Sequence, residues 1–260
     1  MTAIHPGIMV RTVLVTGGAK RIGREICIRM AQEGFNVVVH HRNSDAEAQE
    51  LVKQINSIGT KAITAKIDLS KYGSAFELIE DCNGKIGIIT DLVNNASVFK
   101  YDQISTLEEQ TWDEHMAVNA RSQTMLIRKL AEILPDDQQG SVVNILDQKI
   151  ASPNPDYLSY TASRFAMLGV TESLARGLAP HIRVNAISPG HTLPSLEQTK
   201  LGFEKAQSQS PLGFGPEPND IADAVTFLMH AKSITGQVLF VDSGERFLSR
   251  ERDVVFETEG

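Results

Sequence analysis

The sequence has little cysteine and no long hydrophobic run. Its two cysteines, Cys27 and Cys82, lie far apart in segments with a helical pattern. This spacing excludes a disulfide framework and a zinc site with cysteine ligands, and we predict that no metal is bound. No run of about 18 apolar residues occurs, and the first residues lack the pattern of an export signal. These absences predict a soluble cytoplasmic protein.

An excess of basic residues is also missing. The chain of 260 residues has 25 Lys and Arg against 32 Asp and Glu, which gives a net charge of −7. Nucleic acids and anionic membranes require clustered Lys and Arg, so neither is predicted as a partner. The charge pattern therefore favours neither of these polyanionic partners.

Two apolar patterns alternate along the chain. Short apolar runs rich in β-branched residues predict strands. Longer segments with apolar residues three or four positions apart predict helices. The predicted strands are 12–16, 37–40, 62–67, 91–93, 141–146, 184–187 and 238–241. The predicted helices are 22–33, 46–58, 75–82, 118–134, 159–179 and 221–229.

This alternation predicts a single doubly wound α/β domain. Strands that alternate with helices form right-handed βαβ units, which build a Rossmann-type parallel sheet, here of about seven strands, with helices on both faces. We predict an N-terminal extension at 1–10, the domain at 11–244 and a charge-rich tail or oligomer contact at 245–260. In such sheets ligands bind beyond the carboxyl ends of the strands.

The first predicted strand leads into Gly17-Gly-Ala-Lys-Arg-Ile-Gly23, and a helix follows. Glycines in such a turn allow the backbone to approach a pyrophosphate, whose charge is favoured at a helix N-terminus. A glycine-rich turn alone can be no more than a tight turn. Its place between strand and helix, with a second strand ending about 20 residues later, favours dinucleotide binding.

The end of the second predicted strand favours NADP(H) over NAD. His41, Arg42, Asn43 and Ser44 follow it, and no Asp or Glu is present where a carboxylate binds the ribose of NAD. Arg42 and Ser44 can instead hold a 2′-phosphate, because a guanidinium pairs with two phosphate oxygens. The alternative is that Arg42 is a solvated surface residue.

Two further strand ends carry candidate cofactor contacts. Asp68 and Leu69 follow the third strand and are candidates for contact with the adenine. Asn95 and Ala96 follow the fourth strand, where a side-chain amide can hold the turn and bring the chain close to the cofactor. Either pair can also be purely structural.

Several motifs occur together in one order and spacing. They are Thr16-Gly-x-x-x-x-x-Gly23, Asn94-Asn-Ala96, Asn119, Tyr160-x-x-x-Arg164 and Pro189-Gly190. In these motifs the chain resembles the short-chain dehydrogenase/reductase family from residue 11 to residue 244. The resemblance implies a nicotinamide cofactor and a homotetramer with contacts through helices 118–134 and 159–179.

At several positions the chain departs from the common family pattern and there resembles one branch, the pteridine reductases. This branch includes bacterial dihydromonapterin and dihydrofolate reductases. Arg21 stands where most members have glycine, and in the branch it reaches the cofactor phosphate and the pterin. Phe99 resembles the aromatic residue that stacks the pterin, and Ser97 resembles a polar contact. Asp147 stands where the family has its catalytic serine. Taken singly, a loop phenylalanine is more often core, and an aspartate after a strand is often a cap.

The resemblance assigns the chemistry to Tyr160, Asp147, Arg164 and Asn119. Tyr160 donates the proton, and Asp147 orients it or relays the proton. The family has lysine at position 164, which lowers the pKa of the tyrosine. Arg164 can supply the same charge, worth about two pKa units at about 5 Å, but it cannot exchange a proton with a relay water. Asn119 matches the asparagine that kinks a helix and holds that water.

The predicted binding sets combine the strand ends with the family motifs, in which Pro189, Gly190 and Thr192 resemble the segment that fixes the nicotinamide carboxamide. The predicted cofactor-binding residues are Gly17, Lys20, Arg21, Ile22, Gly23, His41, Arg42, Asn43, Ser44, Asp68, Leu69, Asn95, Ala96, Tyr160, Arg164, Pro189, Gly190 and Thr192. The predicted substrate-binding residues are Arg21, Ser97, Phe99, Asp147 and Tyr160.

The segment after the sixth strand carries two weaker interpretations. Residues 193–215 are interpreted as a mobile lid over the substrate. His181 and His191 are interpreted as surface residues, because neither has a partner at metal-ligand spacing.

The predicted function is NADPH-dependent reduction of a dihydropterin, such as dihydromonapterin, dihydrobiopterin or dihydrofolate, to the tetrahydro form. One alternative is a carbonyl reductase of the same family, acting for example on a 3-oxoacyl thioester. Asp147 opposes it, because a carbonyl oxyanion requires a hydroxyl donor. The other alternative is a cofactor-binding regulatory protein with weakened catalysis, which Arg164 in place of lysine suggests.

Overall fold

The computed structural model describes residues 10–195 and 198–258. Its strands are β1 (Thr12–Val15), β2 (Asn36–His41), β3 (Ala62–Lys66), β4 (Asp91–Asn94), β5 (Gly140–Ile145), β6 (Ile182–Pro189) and β7 (Val238–Val241). They form one parallel sheet in the order β3-β2-β1-β4-β5-β6-β7. All the predicted strands are present, and the predicted doubly wound α/β fold is confirmed.

The helices of the described residues cover both faces of this sheet. They are α1 (Arg21–Gln32), α2 (Asp45–Ile58), α3 (Ser74–Ile86), α4 (Glu109–Met116), α5 (Ser122–Ile133), α6 (Leu158–Gly177), α7 (Lys200–Ser208), α8 (Pro218–His230) and α9 (Val254–Thr258). The sequence did not predict α4, α7 and α9. In α4 only His115 is buried, so the helix carries no apolar stripe, and α9 has only five residues.

Alternation of side chains explains why the strands were predictable. Val13 and Val15 pack with α1, α2 and α8 on one face of the sheet. Leu14, between them, packs with α3, α5 and α6 on the other face. A strand covered on both faces reads as a continuous apolar run. Cys27 in α1 and Cys82 in α3 are buried and free.

The order of the strands places a crevice beside β1 and β4. Successive strands run from β1 to β3 on one side, and from β4 to β7 on the other. At such a reversal the connections leave in opposite directions, and a ligand crevice forms beyond the carboxyl ends. Gly17, Asn95 and Asp147 follow β1, β4 and β5 and therefore meet at this crevice.

The described part of the predicted tail packs against the domain. A 3-10 turn at Glu245–Phe247 and α9 continue the chain beyond β7. Val254 and Val255 are buried, and Arg252 forms an ion pair with Asp156. Residues 1–9 of the predicted extension, 196–197 of the predicted lid and 259–260 lie outside the described residues. In the part of the chain that the structure describes, no helix has the length and apolar character needed to cross a membrane.

Candidate active site

A cavity of about 620 Å³ lies beyond the carboxyl ends of β1, β4, β5 and β6. The predicted residues that line it are Gly17, Lys20, Arg21, Ile22, Gly23, Asn95, Ala96, Ser97, Phe99, Asp147, Tyr160, Arg164, Pro189, Gly190 and Thr192. The predicted residues outside its lining are His41, Arg42, Asn43, Ser44, Asp68, Leu69 and Asn119. The fold thus brings most of the predicted catalytic, cofactor and substrate residues to one place.

His40, which the sequence analysis did not single out, holds the turn after β1. The Gly17 amide donates to His40 Nδ1 at 3.1 Å, and His40 Nε2 lies 3.2 Å from the carbonyl oxygen of Ile67. These partners place the ring proton on Nε2. Burial lowers the pKa of His40 to about 4, so the ring is neutral at neutral pH. The glycine turn is thereby fixed to β2 and to the end of β3.

Close packing of backbone explains the glycines of this turn. Gly17 has a left-handed backbone with φ of 63°. A Cβ on Gly23 would lie 2.3 Å from the Gly17 carbonyl oxygen and 2.6 Å from Asn95 Nδ2. Asn95 Nδ2 itself donates to the carbonyl of Thr16 at 2.9 Å, and Thr16 Oγ1 accepts from the amides of Asn95 and Ala96. The end of β4 is thus tied to the turn.

Arg21 has a backbone conformation that favours glycine. Its φ of 54° is left-handed, which costs a residue with a side chain roughly 1 kcal/mol. Most members of the resembled family have glycine at this position, and Arg21 adopts the backbone conformation that suits a glycine. The Arg21 Nη2 atom donates to the carbonyl oxygen of Pro194 at 3.0 Å. Arg21 thereby links the glycine turn to the segment that follows β6.

The residues predicted to bind the 2′-phosphate follow β2, at the same edge of the sheet. Arg42 and Asn43 are exposed, whereas His41 is buried. Ser44 precedes α2, and its side chain makes no capping hydrogen bond to that helix. An exposed guanidinium beside a helix N-terminus is a suitable environment for an anion.

Asp68 and Leu69 have their side chains engaged in the fold. Asp68 Oδ1 accepts from the Ser70 amide at 2.9 Å, which caps the turn after β3. The Leu69 side chain belongs to the core beneath the sheet. Contact of this pair with an adenine stays a prediction.

Tyr160, Asp147 and Arg164 converge at the centre of the cavity. Tyr160 Oη donates to Asp147 Oδ2 at 2.8 Å. The guanidinium carbon of Arg164, one turn further along α6, lies 4.8 Å from the centre of the Tyr160 ring. Arg164 is held by hydrogen bonds to the Ile145 carbonyl at 3.2 Å and to Ser97 Oγ at 2.5 Å. A fixed cation, a phenol and a carboxyl group therefore lie in contact.

Burial raises the pKa of Tyr160 above its ordinary value, and the positive charge of Arg164 opposes this only in part. The prediction that Arg164 would lower the Tyr160 pKa well below the value of a free phenol is therefore wrong in this structure. Burial also raises the pKa of Asp147. The phenol keeps its proton at neutral pH, which suits a proton donor.

Asn119 lies in a π-helical turn, Ala117–Arg121, between α4 and α5. Its Oδ1 accepts from the Val98 amide at 2.8 Å, and its Nδ2 donates to the Val98 carbonyl at 2.9 Å. The same Nδ2 lies 3.1 Å from Ser163 Oγ. Asn119 thus fixes the segment that carries Ser97 and Phe99, and its part in a water relay stays a prediction.

Phe99 presents an exposed aromatic face to the cavity. Its ring stacks on Tyr157 with a centroid distance of 4.2 Å and an angle of 15°, and meets Tyr160 edge-on at 4.7 Å. Phe99 is 44% exposed, whereas Tyr157 is 1% exposed and has a left-handed backbone. The buried ring supports the exposed one, so Phe99 is not a core residue.

Asp102, His115 and Ser159 form a buried chain of hydrogen bonds that the sequence analysis missed. His115 Nδ1 lies 2.6 Å from Ser159 Oγ, which donates to the Asp102 carboxylate. His115 Nε2 accepts from the Lys100 amide at 3.1 Å. Each of these three side chains is at most 1% exposed, so none of them can contact a substrate. This chain of hydrogen bonds positions the segment after Phe99, and no local pattern could have revealed partners 44 and 57 positions apart.

His191 lies in the cavity wall, and its interpretation as a surface residue is wrong. Its Nδ1 lies 2.9 Å from Glu245 Oε1, and its amide donates to Glu245 Oε2 at 2.9 Å. Burial opposes the charged ring, but the hydrogen bond and charge of Glu245 outweigh it and raise the pKa of His191.

His181 is half-buried beside the Leu134 carbonyl. Among the described residues no group of three or more His, Cys, Asp or Glu could hold a metal ion.

Comparisons with known proteins agree with this geometry. The model of the short chain dehydrogenase family matches residues 11–204. The 3-oxoacyl-[acyl-carrier-protein] reductase FabG of Staphylococcus epidermidis is 32% identical over 241 residues, which cover 91% of this chain and 99% of that protein.

Solved structures are similar over almost the whole chain. The crystal structure of FolM alternative dihydrofolate reductase 1 from Brucella canis, complexed with NADP, is 40% identical with a TM-score of 0.89, and the match covers 94% of this chain and 96% of that one. The angucycline C-6 ketoreductase LanV with bound NADP is 29% identical with a TM-score of 0.84, and the match covers 92% and 96% of the two chains.

Proposed function

The chain belongs to the short-chain dehydrogenase family, and within it we propose that this oxidoreductase uses NADPH to reduce a dihydropterin to the tetrahydro form. The substrates that the proposal names are dihydromonapterin, dihydrobiopterin and dihydrofolate. FolM alternative dihydrofolate reductase 1 from Brucella canis and from Brucella suis, each 40% identical to this chain, support the proposal.

The glycine turn fits the pyrophosphate of a dinucleotide, because its backbone has no room for a Cβ at Gly23 and because Gly17 and Gly23 line the cavity. Arg42 and the start of α2 at Ser44 fit a 2′-phosphate, which favours NADP(H). The solved structures of similar proteins contain NADP. When bound, the reduced nicotinamide supplies a hydride.

The observation that carries the proposal is the pair formed by Tyr160 and Asp147. Reduction of a C=N bond requires a proton at nitrogen, and the neutral phenol of Tyr160 can donate it. A pterin presents N–H groups, for which the carboxylate of Asp147 is a suitable acceptor. Phe99, which meets Tyr160 edge-on at 4.7 Å, offers a face for a flat ring.

Arg164 stabilises the phenolate that remains after donation. A unit charge at 4.8 Å from the ring is worth about 3 kcal/mol at an effective dielectric constant of about 20. Its guanidinium cannot return a proton, because arginine does not deprotonate in proteins. Asp147 accepts a hydrogen bond from the phenol and lines the cavity, so its carboxylate can take up a proton from solvent and pass it to the phenolate.

The test is consumption of NADPH by the purified protein with each dihydropterin in turn. We expect turnover with at least one pterin and little with NADH. Tyr160→Phe should reduce turnover by about 10²–10⁴-fold, because it removes only the proton donor, and should leave NADPH affinity nearly unchanged. Tight NADPH binding without turnover on any substrate would contradict the proposal and favour a regulatory protein.

A second candidate is a 3-oxoacyl thioester reductase, favoured by the 32% identity to FabG of Staphylococcus epidermidis. Acetoacetyl thioester therefore belongs in the same assay. A carbonyl oxyanion needs hydroxyl donors, and Asp147 repels negative charge. Asp147→Ser should accordingly lower pterin turnover and raise any thioester turnover. Faster thioester turnover by the unaltered protein would establish the second candidate.

A further inference from the structure

The last described residues form a wall of the cavity. We define the C-terminal strap as residues 250–258. Asp253 and Val255 of the strap line the same cavity as Phe99, Asp147 and Tyr160. The strap lies beyond the family resemblance, which ends at residue 244, and beyond the family model, which ends at residue 204. Neither the family motifs nor the family model therefore gives the strap a role.

Two ion pairs hold the strap to the loop between β5 and α6. Arg252 Nε and Nη2 donate to the two carboxylate oxygens of Asp156 at 2.7 and 2.8 Å. The Asp253 amide also donates to Asp156 Oδ2 at 2.8 Å. Asp253 Oδ2 in turn lies 2.7 Å from Lys149 Nζ. The strap is thus fixed at two successive residues.

Lys149 is fully engaged in this attachment. Its side chain is 4% exposed and that of Asp253 is 7% exposed. Besides Asp253, Lys149 Nζ donates to Asn154 Oδ1 at 2.8 Å and to the Asp156 carbonyl at 3.3 Å. All three donors of the ammonium are used, so Lys149 is not available to bind a substrate.

The same residue reaches the proposed catalytic carboxyl group. The Lys149 amide donates to Asp147 Oδ1 at 2.9 Å, and Asp147 Oδ2 accepts from Tyr160. A buried ion pair contributes little net stability compared with apolar residues of similar volume, because both charges are desolvated. The Lys149–Asp253 pair is therefore better explained by the placement of the strap and the loop than by stability alone.

We propose that the C-terminal strap determines substrate specificity, with Val255 as a wall that contacts the substrate and Lys149 as a positioning residue. The wall restricts the cavity to a flat, compact substrate and disfavours an extended acyl thioester. The nature of the favoured substrate rests on the proposed pterin reduction. The existence of the wall does not, because it follows from the lining of the cavity.

The first test replaces Val255 by Ala in the full-length protein. Calorimetry with NADP⁺ present would measure the dissociation constants of dihydrofolate and acetoacetyl-coenzyme A. We expect the dihydrofolate constant to rise about 10-fold, the effect of lost apolar contacts in a fitted pocket, and the thioester constant to stay equal or fall. Glu251→Gln, an exposed change in the same strap, should alter neither constant, and NADP⁺ affinity should be the same in all three proteins.

The outcomes separate this inference from the proposed function. If the unaltered protein reduces dihydropterins but Val255→Ala changes neither constant, only the inference is overturned. If it reduces only the thioester and Val255→Ala still changes thioester affinity, only the proposed function fails. If neither compound binds the unaltered protein, both are overturned.

The second test removes both buried charges together, as Lys149→Met with Asp253→Leu. This change leaves no unpaired charge, so the fold should persist. We expect the pH dependence of kcat/KM to shift, because the positive charge of Lys149, which lowers the pKa of Asp147, is removed while the Lys149 amide contact is kept. An unaltered pH profile in a folded double variant would overturn the positioning role of Lys149.

Discussion

The two ends of the cavity are built in different ways. The cofactor end consists of backbone turns, in which Gly17 and Gly23 leave room and Asn95 holds the turn closed. The substrate end consists of side chains from separated segments, such as Lys149 with Asp253 and Phe99 with Tyr157. A backbone turn dictates residue type at fixed spacing, whereas packed side chains do not. Short sequence motifs therefore predict the cofactor end, but they do not predict most of the contacts at the substrate end.

A clash at the glycine turn of the cofactor end should give the largest effect on NADPH affinity. Gly23→Ala places a Cβ 2.3 Å from the Gly17 carbonyl oxygen, so the turn must move. Overpacking of this kind costs about 3 kcal/mol, equivalent to roughly 100-fold in affinity for NADPH. Fluorescence titration with NADPH measures it.

Gly169→Ala is the matched control for that change. Gly169 lies within α6, and a Cβ there would meet nothing within 4 Å. Alanine favours a helix over glycine by up to about 1 kcal/mol, so stability should rise slightly and NADPH affinity should not change. Equal NADPH affinity in both variants would show that the turn does not need its glycine.

His40 makes the cofactor end sensitive to acid. Burial lowers its pKa to about 4 in the folded chain, whereas the unfolded value is about 6.5. Between these values only the unfolded chain takes up the proton, so stability falls as the pH falls through this window. The loss reaches about 3 kcal/mol near pH 4. The protonated ring can no longer accept from the Gly17 amide, so NADPH affinity should weaken as well.

Urea unfolding at several pH values checks this dependence. Other buried histidines, His41 and His115, also have lowered pKa values, so the measurement must be a difference between two proteins. His40→Gln keeps an acceptor for Gly17 but does not titrate. The variant should lose less stability between pH 7 and pH 4 than the unaltered chain. If the free energy of unfolding falls equally with pH in both proteins, groups other than His40 cause the acid sensitivity.

The fold could be predicted from the sequence because its strands are apolar on both faces, as Val13, Leu14 and Val15 show. The glycine turn and Asn95 could be predicted because their chemistry is local. The contact of His40 with the turn, the support of Phe99 by Tyr157 and the attachment of Asp253 could not. Each depends on residues that only the folded chain brings together.

The same limit applies to charge states. The sequence places Arg164 one helical turn from Tyr160, which predicts a lowered pKa for the phenol. The structure adds burial, which acts in the opposite direction and outweighs the arginine. The sign of a pKa shift at a buried site therefore depends on desolvation, which residue spacing does not reveal.

Removal of the aromatic platform should impair the substrate end alone. Phe99→Ala takes away the ring that stacks on Tyr157 at 4.2 Å. We expect the KM for the pterin to rise about 10-fold, since aromatic contact and buried area together are worth one to two kcal/mol. NADPH affinity should stay nearly constant. Steady-state kinetics and NADPH titration measure the two quantities.

Phe227→Ala is the control, because Phe227 is an exposed aromatic residue of α8 outside the cavity lining. It should change neither KM nor NADPH affinity. An equal loss of both quantities in Phe99→Ala would contradict the separation of the two ends and the stacking role of Phe99.

The smallest expected effect lies where the two ends meet, at Arg164. Arg164→Lys keeps the positive charge beside Tyr160, so turnover should stay within about 10-fold of the unaltered protein, or rise, since lysine can exchange a proton with water. The ammonium cannot reproduce the forked hydrogen bonds to Ile145 and Ser97, so a modest fall in NADPH affinity is expected. Arg176→Lys, an exposed change on the same helix, should have no effect. A loss above 100-fold in turnover would contradict this expectation. It would mean that catalysis depends on the hydrogen-bonding geometry of the Arg164 guanidinium and not on its charge alone.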